Sequence, residues 1–353
     1  MISSTHKHDT SRGFTAAEVQ RWTRIGRLAA LCMLLGYAET FVPLPIPGVK
    51  LGLANIPILV ALAEGDIAGA AGISAIKVLA TGLLFGSPLT IAYSATGTLL
   101  AVCGMAPLSR LKTMHLWMLS IIGALLHEAG QLVVATAVLG TTTVWYASPL
   151  LIVAGCITGA LCGALAQRLL QYMPNASDAA SVASVPLPQR PPRRTGIAFA
   201  VLIAFVIAMF HVQNLVVLAV TAMILALCFP REFLRSLRLT LVMGVFTLVM
   251  QFLVQPSTAL VDASVATLRL SSIATASLGF MRLVPTDDLP GMVAWLVAPL
   301  QRLGIRTEGF TLAFSVAISL LPHMADVVRE EFQRDGGRPV RLSTVLPRII
   351  RRF

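Results

Sequence analysis

Long apolar runs separated by short polar breaks fill this chain from residue 28 onward, and they fall into two groups. Residues 28–172 and 197–328 are apolar almost throughout. Between them, NASDAASVASVPLPQRPPRRTG at 175–196 is a Pro/Ser/Ala/Arg stretch suited to neither a packed core nor a bilayer. A membrane-spanning helix needs about 20 apolar residues. The first group offers six candidates, at 28–42, 50–63, 67–85, 88–106, 116–139 and 148–170. The second of these follows Pro43, Pro45, Pro47 and Gly48, a run that cannot continue a helix, so a broken or re-entrant start is expected there. The second group offers 197–210, 214–229, 239–254 and 264–283. Beyond it the character changes. Residues 284–305 are amphipathic with two internal prolines, and 308–334 end on the charged string ADVVREEFQR. These read as interfacial or cytoplasmic helices, with Asp287 and Asp288 marking a helix start. The fold class is therefore all-α integral membrane. The segments are 1–27, a membrane domain at 28–172, a linker at 173–196 and a second membrane domain at 197–353.

Composition sharpens this only in one respect. Hydrophobic residues make up 56% and charged residues 12%, outside the range of soluble domains. The formal net charge of +11 would fit a nucleic-acid binder, but the charges sit at the ends of apolar runs. They gather from Lys7 to Arg27, at Arg110/Lys112, from Arg168 to Arg194, at Arg231/Arg235/Arg238 and from Arg329 to Arg352. That is the pattern of cytoplasmic loops, without the interleaved aromatics of a basic reader. No nucleic-acid partner is expected. Six crossings in the first group return the chain inside, which places both termini and the linker in the cytoplasm. The five cysteines lie inside apolar runs without CxxC spacing and read as small buried residues, not as disulfides or metal ligands. No cleavage site follows the first apolar run, so no removed leader is expected.

An ionisable group at mid-membrane costs at least about 2.5–3.5 kcal/mol, so it usually lines a protein-enclosed cavity. Lys77 in GISAIKVLATGLL and His127/Glu128 in LLHEAGQL are central in their runs, while Glu39, Lys50, Asn55 and Gln131 lie nearer the ends. These seven are the candidate substrate-binding residues. Two readings stay open for Lys77 and Glu128, a ligand pocket or a buried ion pair that only fixes helix register. His127 is equally readable as a ligand contact or a hydrogen-bonded core histidine. Small residues carry a similar choice. Gly26, Ala29, Cys32 and Gly36, and the ladder Gly155, Gly159, Gly163, either pack helices within a bundle or form a docking face for the second half.

Catalytic signatures are missing from the sequence. There is no GxxxxGK[ST] loop, so ATP would have to be used by other subunits. Prenyl diphosphate synthesis needs clustered aspartates for Mg²⁺, and the sequence has only the pair Asp287-Asp288. No catalytic residue, metal site or bound cofactor is expected.

Three ordered strings bring in a resemblance: FVPLPIPGVKLGLANI at 41–56, GLLFGSPLTIAYSATGTLLAV at 82–102 and GALLHEAGQLVVA at 123–135. Over about 25–172 the chain resembles the Gx transporter family, also labelled heptaprenyl diphosphate synthase component I. That family is related to the substrate-binding S components of energy-coupling-factor transporters. Residues 274–305 and 311–337 resemble the transmembrane T component of the same transporters. The resemblance implies a six-helix S-component-like bundle followed by a T-component-like bundle, whose cytoplasmic coupling helices lie at about 286–335. It also implies that the first helix, with Gly26–Gly36, docks the second half. Gln333, Arg334 and Arg338 stand where that family's ATPase-docking motif falls. The implied function is a membrane subunit of an importer in a bacterial inner membrane. It would bind a small vitamin-like or cofactor-precursor molecule and engage separate ATP-binding-cassette ATPase subunits. The alternative is a non-catalytic membrane component of polyprenyl (heptaprenyl) diphosphate or quinone synthesis.

Overall fold

The computed structural model describes residues 15–39, 51–85, 88–111, 113–139, 142–172, 193–254, 256–285, 288–301 and 307–334, and these are helical with no strand among them. The helices are α1 (Ala16–Glu39), α2 (Ile56–Ala63), α3 (Ile67–Phe85), α4 (Pro88–Leu108), α5 (Leu116–Leu139), α6 (Ser148–Tyr172), α7 (Arg193–His211), α8 (Leu215–Cys228), α9 (Pro230–Val254), α10 (Ala259–Leu283), α11 (Leu289–Gln301) and α12 (Glu308–Arg334). Short 3-10 turns at Leu53–Asn55 and Thr142–Ala147 precede α2 and α6.

Local chemistry sets the ends. Thr15 and Glu18 cap α1 reciprocally, each side chain taking the other's backbone N–H. At the end of α2 the N–H groups of Gly65 and Asp66 bond back to Leu62 and Ala61, with Gly65 at φ 81°, a Schellman stop. The Asp66 carboxylate then accepts from Gly69 N–H at 2.8 Å and starts α3. Arg21 and Arg24 of α1 pair with Asp66 and Glu64 of this turn, which fixes the turn beside the start of α1.

Five helical segments among the described residues are long and apolar enough to cross a membrane: Ile67–Leu84, Thr90–Leu108, Leu116–Val138, Val144–Gln171 and Pro230–Leu253. Of the six crossings expected in the first half, α3 to α6 meet that standard. The eight residues of α2 span only about 12 Å, as the broken second segment implied. Helix α9 begins at Pro230, well before the expected 239. Pro fits the first helical position, so Arg231, Arg235 and Arg238 sit on a helix rather than in a loop. Helix α11 starts at Leu289, where the acidic pair pointed; Asp288 there accepts a hydrogen bond from Thr195 Oγ1. Cys32 and Cys162 are buried as expected, but Cys103 and Cys228 are exposed.

The small residues divide their work. A Cβ at Gly159 would lie 2.7 Å from Ile121 Cα, and Gly163 is equally close to Trp117, so the ladder packs α6 on α5. Gly26 instead faces the second half, where a Cβ would lie 2.6 Å from Ala313 O of α12. Trp22 lies over Gly309, so α1 and α12 run in the same direction along this seam. The first part of α12 therefore packs beside α1 rather than standing apart, and Ala313, Phe314, Val316 and Ala317 are all buried.

A second link joins the halves through a charge. Arg269, in the middle of α10, is 2% exposed and donates to Val138 O at 2.8 Å, Val212 O at 2.8 Å and Gln213 Oε1 at 3.1 Å. Val138 and Val212 lie at the ends of α5 and α7, where helix carbonyls lack intrahelical donors and the dipoles are negative. One guanidinium thus serves two helix ends, one from each half. Replacing Arg269 with Met leaves both carbonyls unserved. Charge-assisted hydrogen bonds contribute about 1.5–3 kcal/mol each, so Arg269→Met should lower the unfolding temperature of the purified protein by several degrees. Arg269→Lys, unable to fork between two acceptors, should fall between.

Candidate functional site

Gly52 has a φ of 80°, which suits glycine and strains other residues. Glu39, at the end of α1, holds this turn: its carboxylate accepts from Gly52 N–H at 2.9 Å and Leu53 N–H at 3.1 Å. Those amides open the Leu53–Asn55 turn and α2, so the carboxylate sits at a helix start, where negative charge is favoured. On the far side, the Cys162 thiol donates to Leu51 O at 3.0 Å. The strand of chain before α2 is thereby pinned between α1 and α6.

Behind that turn lies a small cavity of about 50 Å³. Its wall is formed by residues 51–59 together with α4, α5 and α6. Apolar groups such as Ile58, Leu59, Val102 and Met105 dominate it. Polar groups come from each side: Asn55, Thr98 on α4, Ser120 and His127 on α5, and Thr158 on α6. A second cleft, between α3/α4 and α7/α11, is bounded by Leu79, Ile91, Phe199, Ile203, Val206 and Leu296 and offers no polar group to orient a ligand.

The seven candidate residues take different places. Asn55 and His127 line the cavity. Lys77 is 7% exposed and stands one step behind the wall, its Nζ donating to Asn55 Oδ1 at 2.7 Å. His127 Nε2 and Gln131 Nε2 are 2.9 Å apart across one helical turn, which holds the imidazole by its edge. Glu39 supports the turn and does not line the cavity. Glu128 is half-buried on α5 and is not among the residues lining the cavity. Lys50 lies outside the described residues, as does Arg338. Gln333 and Arg334 fall in the last turn of α12.

Thr98, Ser120, Thr158 and Cys162 were not anticipated as site residues. A hydroxyl in an apolar helix carries no sequence signal of which way it faces. Packing alone turns these inward. Thr98 Oγ1 is buried with no hydrogen-bond partner among the described residues.

Residues 28–169 match the family model described as heptaprenyl diphosphate synthase component I. The match covers the N-terminal membrane domain and stops before the linker. Every lining residue of the cavity, from Leu51 to Cys162, falls inside the matched segment. No curated protein and no solved structure matches the chain.

Lys77 positions Asn55, and its loss should show at both levels. Lys77→Met leaves the Asn55 carbonyl without its cation, which costs about 1.5–3 kcal/mol of stability. It should also weaken retention of any co-purified cavity ligand more than Gln131→Leu does, as read by native mass spectrometry and a melting curve on the same sample. Unchanged values on both would remove Lys77 from the site.

Proposed function

We propose that this chain is a non-catalytic membrane subunit that holds a small molecule in the α2/α4/α5/α6 cavity and works with a separate catalytic subunit in polyprenyl diphosphate synthesis. The observation that carries the reading is the coincidence of the cavity with the segment matched to heptaprenyl diphosphate synthase component I. Its chemistry agrees with a binding role: the described wall has a hydrocarbon body and a few hydrogen-bonding groups, and it offers no carboxylates to hold Mg²⁺ against a diphosphate. Bond making and breaking would belong to the partner.

A second reading, uptake of a small molecule powered by separate ATPase subunits, draws on one specific contact. Helix α12 lies against α1 over Gly26, so a partner that pulls on the second half would move the helix whose end holds the cavity turn. Gln333, Arg334 and Arg338 would be its docking residues. ATP would then enter only through those subunits, acting by different affinity for two states of the scaffold.

Affinity purification of the full chain from its native membrane distinguishes the two. Recovery of a prenyl synthase subunit carries the first reading. Recovery of an ATPase pair, lost in the Arg334→Glu/Arg338→Glu double variant, carries the second. The basic clusters favour a cytoplasmic linker in a bacterial cell. A cysteine at Ser184 should stay unlabelled when an impermeant reagent is added to intact cells and react after the membrane is opened.

A further inference from the structure

We infer that the cavity takes an uncharged, mainly hydrocarbon molecule bearing a hydroxyl or carbonyl group, and not a phosphorylated or otherwise ionised one; this rests on the reading of the cavity as a ligand site. Among the described residues, the two charged groups beside the cavity, Glu39 and Lys77, are engaged by the fold. Glu39 is held by two backbone N–H groups and Lys77 by the Asn55 carbonyl. Among the described residues that form the wall there is no Asp, Glu, Lys or Arg. An ionised ligand enclosed there would lose its hydration, with the His127 imidazole as the one titratable side chain among the described wall residues besides the Cys162 thiol.

The polar groups that do face the cavity ask for a neutral partner. Serine and threonine hydroxyls inside helices commonly turn back to the carbonyl four residues earlier. Ser74, Thr81 and Thr136 do so here, at 2.7, 2.6 and 2.8 Å. Thr98 does not. It is 5% exposed, lines the cavity, and its Oγ1 has no partner among the described residues. A buried hydroxyl is nearly always satisfied in a native protein, so the missing partner belongs to what the cavity holds. Ser120 and Thr158 bring further hydroxyls from α5 and α6. A hydroxyl both donates and accepts, which suits an alcohol or a carbonyl and gives no selectivity for an anion. Around these groups the apolar wall of Ile58, Leu59, Val102 and Met105 would bury a hydrocarbon body.

The test compares an uncharged prenyl alcohol with its diphosphate. The full chain in lipid nanodiscs is dialysed to equilibrium against geraniol or geranyl diphosphate, with empty nanodiscs subtracted to remove partitioning into lipid. Geraniol should bind saturably and at least about tenfold more tightly than the diphosphate. Thr98→Val, which keeps the shape and removes the hydroxyl, should weaken geraniol about 3–10-fold, the value of one neutral hydrogen bond. Thr98→Ser should restore it. Diphosphate binding as tight as geraniol would overturn the neutral class while leaving the cavity a ligand site. Saturable binding of neither probe would overturn the ligand reading itself, and this inference with it. Geraniol binding indifferent to Thr98→Val would also overturn the inference, because the unbonded hydroxyl would then have no ligand partner.

Discussion

Two hydrogen bonds from Gly52 and Leu53 to the Glu39 carboxylate decide whether this protein has a cavity at all. They tie the end of α1 to the 3-10 turn that opens the short helix α2. Because α2 covers only eight residues, it fills part of the depth that a full span would occupy. The remaining volume is closed by α4, α5 and α6 and becomes the cavity. A carboxylate at this depth is costly on its own. Here two backbone donors and the start of a helix offset that cost, so the charge belongs to the architecture rather than to the wall.

Lysine 77 follows the same logic from the opposite sign. Its ammonium lies one residue layer behind the cavity and ends on the Asn55 carbonyl. Asn55 is thereby held between a buried cation and the cavity space, with its amide nitrogen side turned by that bond. Any influence of the Lys77 charge on the cavity passes through that oriented amide. The family match, which covers the cavity and stops before the linker, assigns this arrangement to the N-terminal domain.

Much of the helical order was legible from hydrophobic runs, because apolar segments bounded by Pro, Gly and charge leave few alternatives to helices in a membrane. The proline run before Lys50 announced the short α2, and Asp287-Asp288 announced α11. The misreadings have physical causes. Arg231, Arg235 and Arg238 read as a loop because charge usually ends a span, yet Pro230 starts a helix that carries them. Arg269 went unremarked inside an apolar run, since no sequence pattern shows that two helix ends will converge on it. In the site, ionisable residues drew the eye because they are costly in lipid. Glu39 and Lys77 are indeed at the cavity's edge, but as supports. The groups that face the cavity, Thr98, Ser120 and Thr158, are ordinary in composition and acquire their role only from the way α4, α5 and α6 pack.

The two halves are joined by contacts of unlike kind, and the difference bears on how they could move. Along α1 and α12 the join is a seam of small residues, Gly26 against Ala313 and Gly309 under Trp22, with little directional bonding to break. At Arg269 it is a forked cation on the ends of α5 and α7, which tolerates little displacement before its carbonyl acceptors are lost. A motion of the second half relative to the first would therefore pivot near Arg269 and slide along α1. Since α1 ends at Glu39 and α5 carries Ser120 and His127, the sliding contact leads to the turn over the cavity and the fixed contact leads to its wall. A displacement of the second half along α1 would therefore reach the cavity first through the Glu39–Gly52 turn.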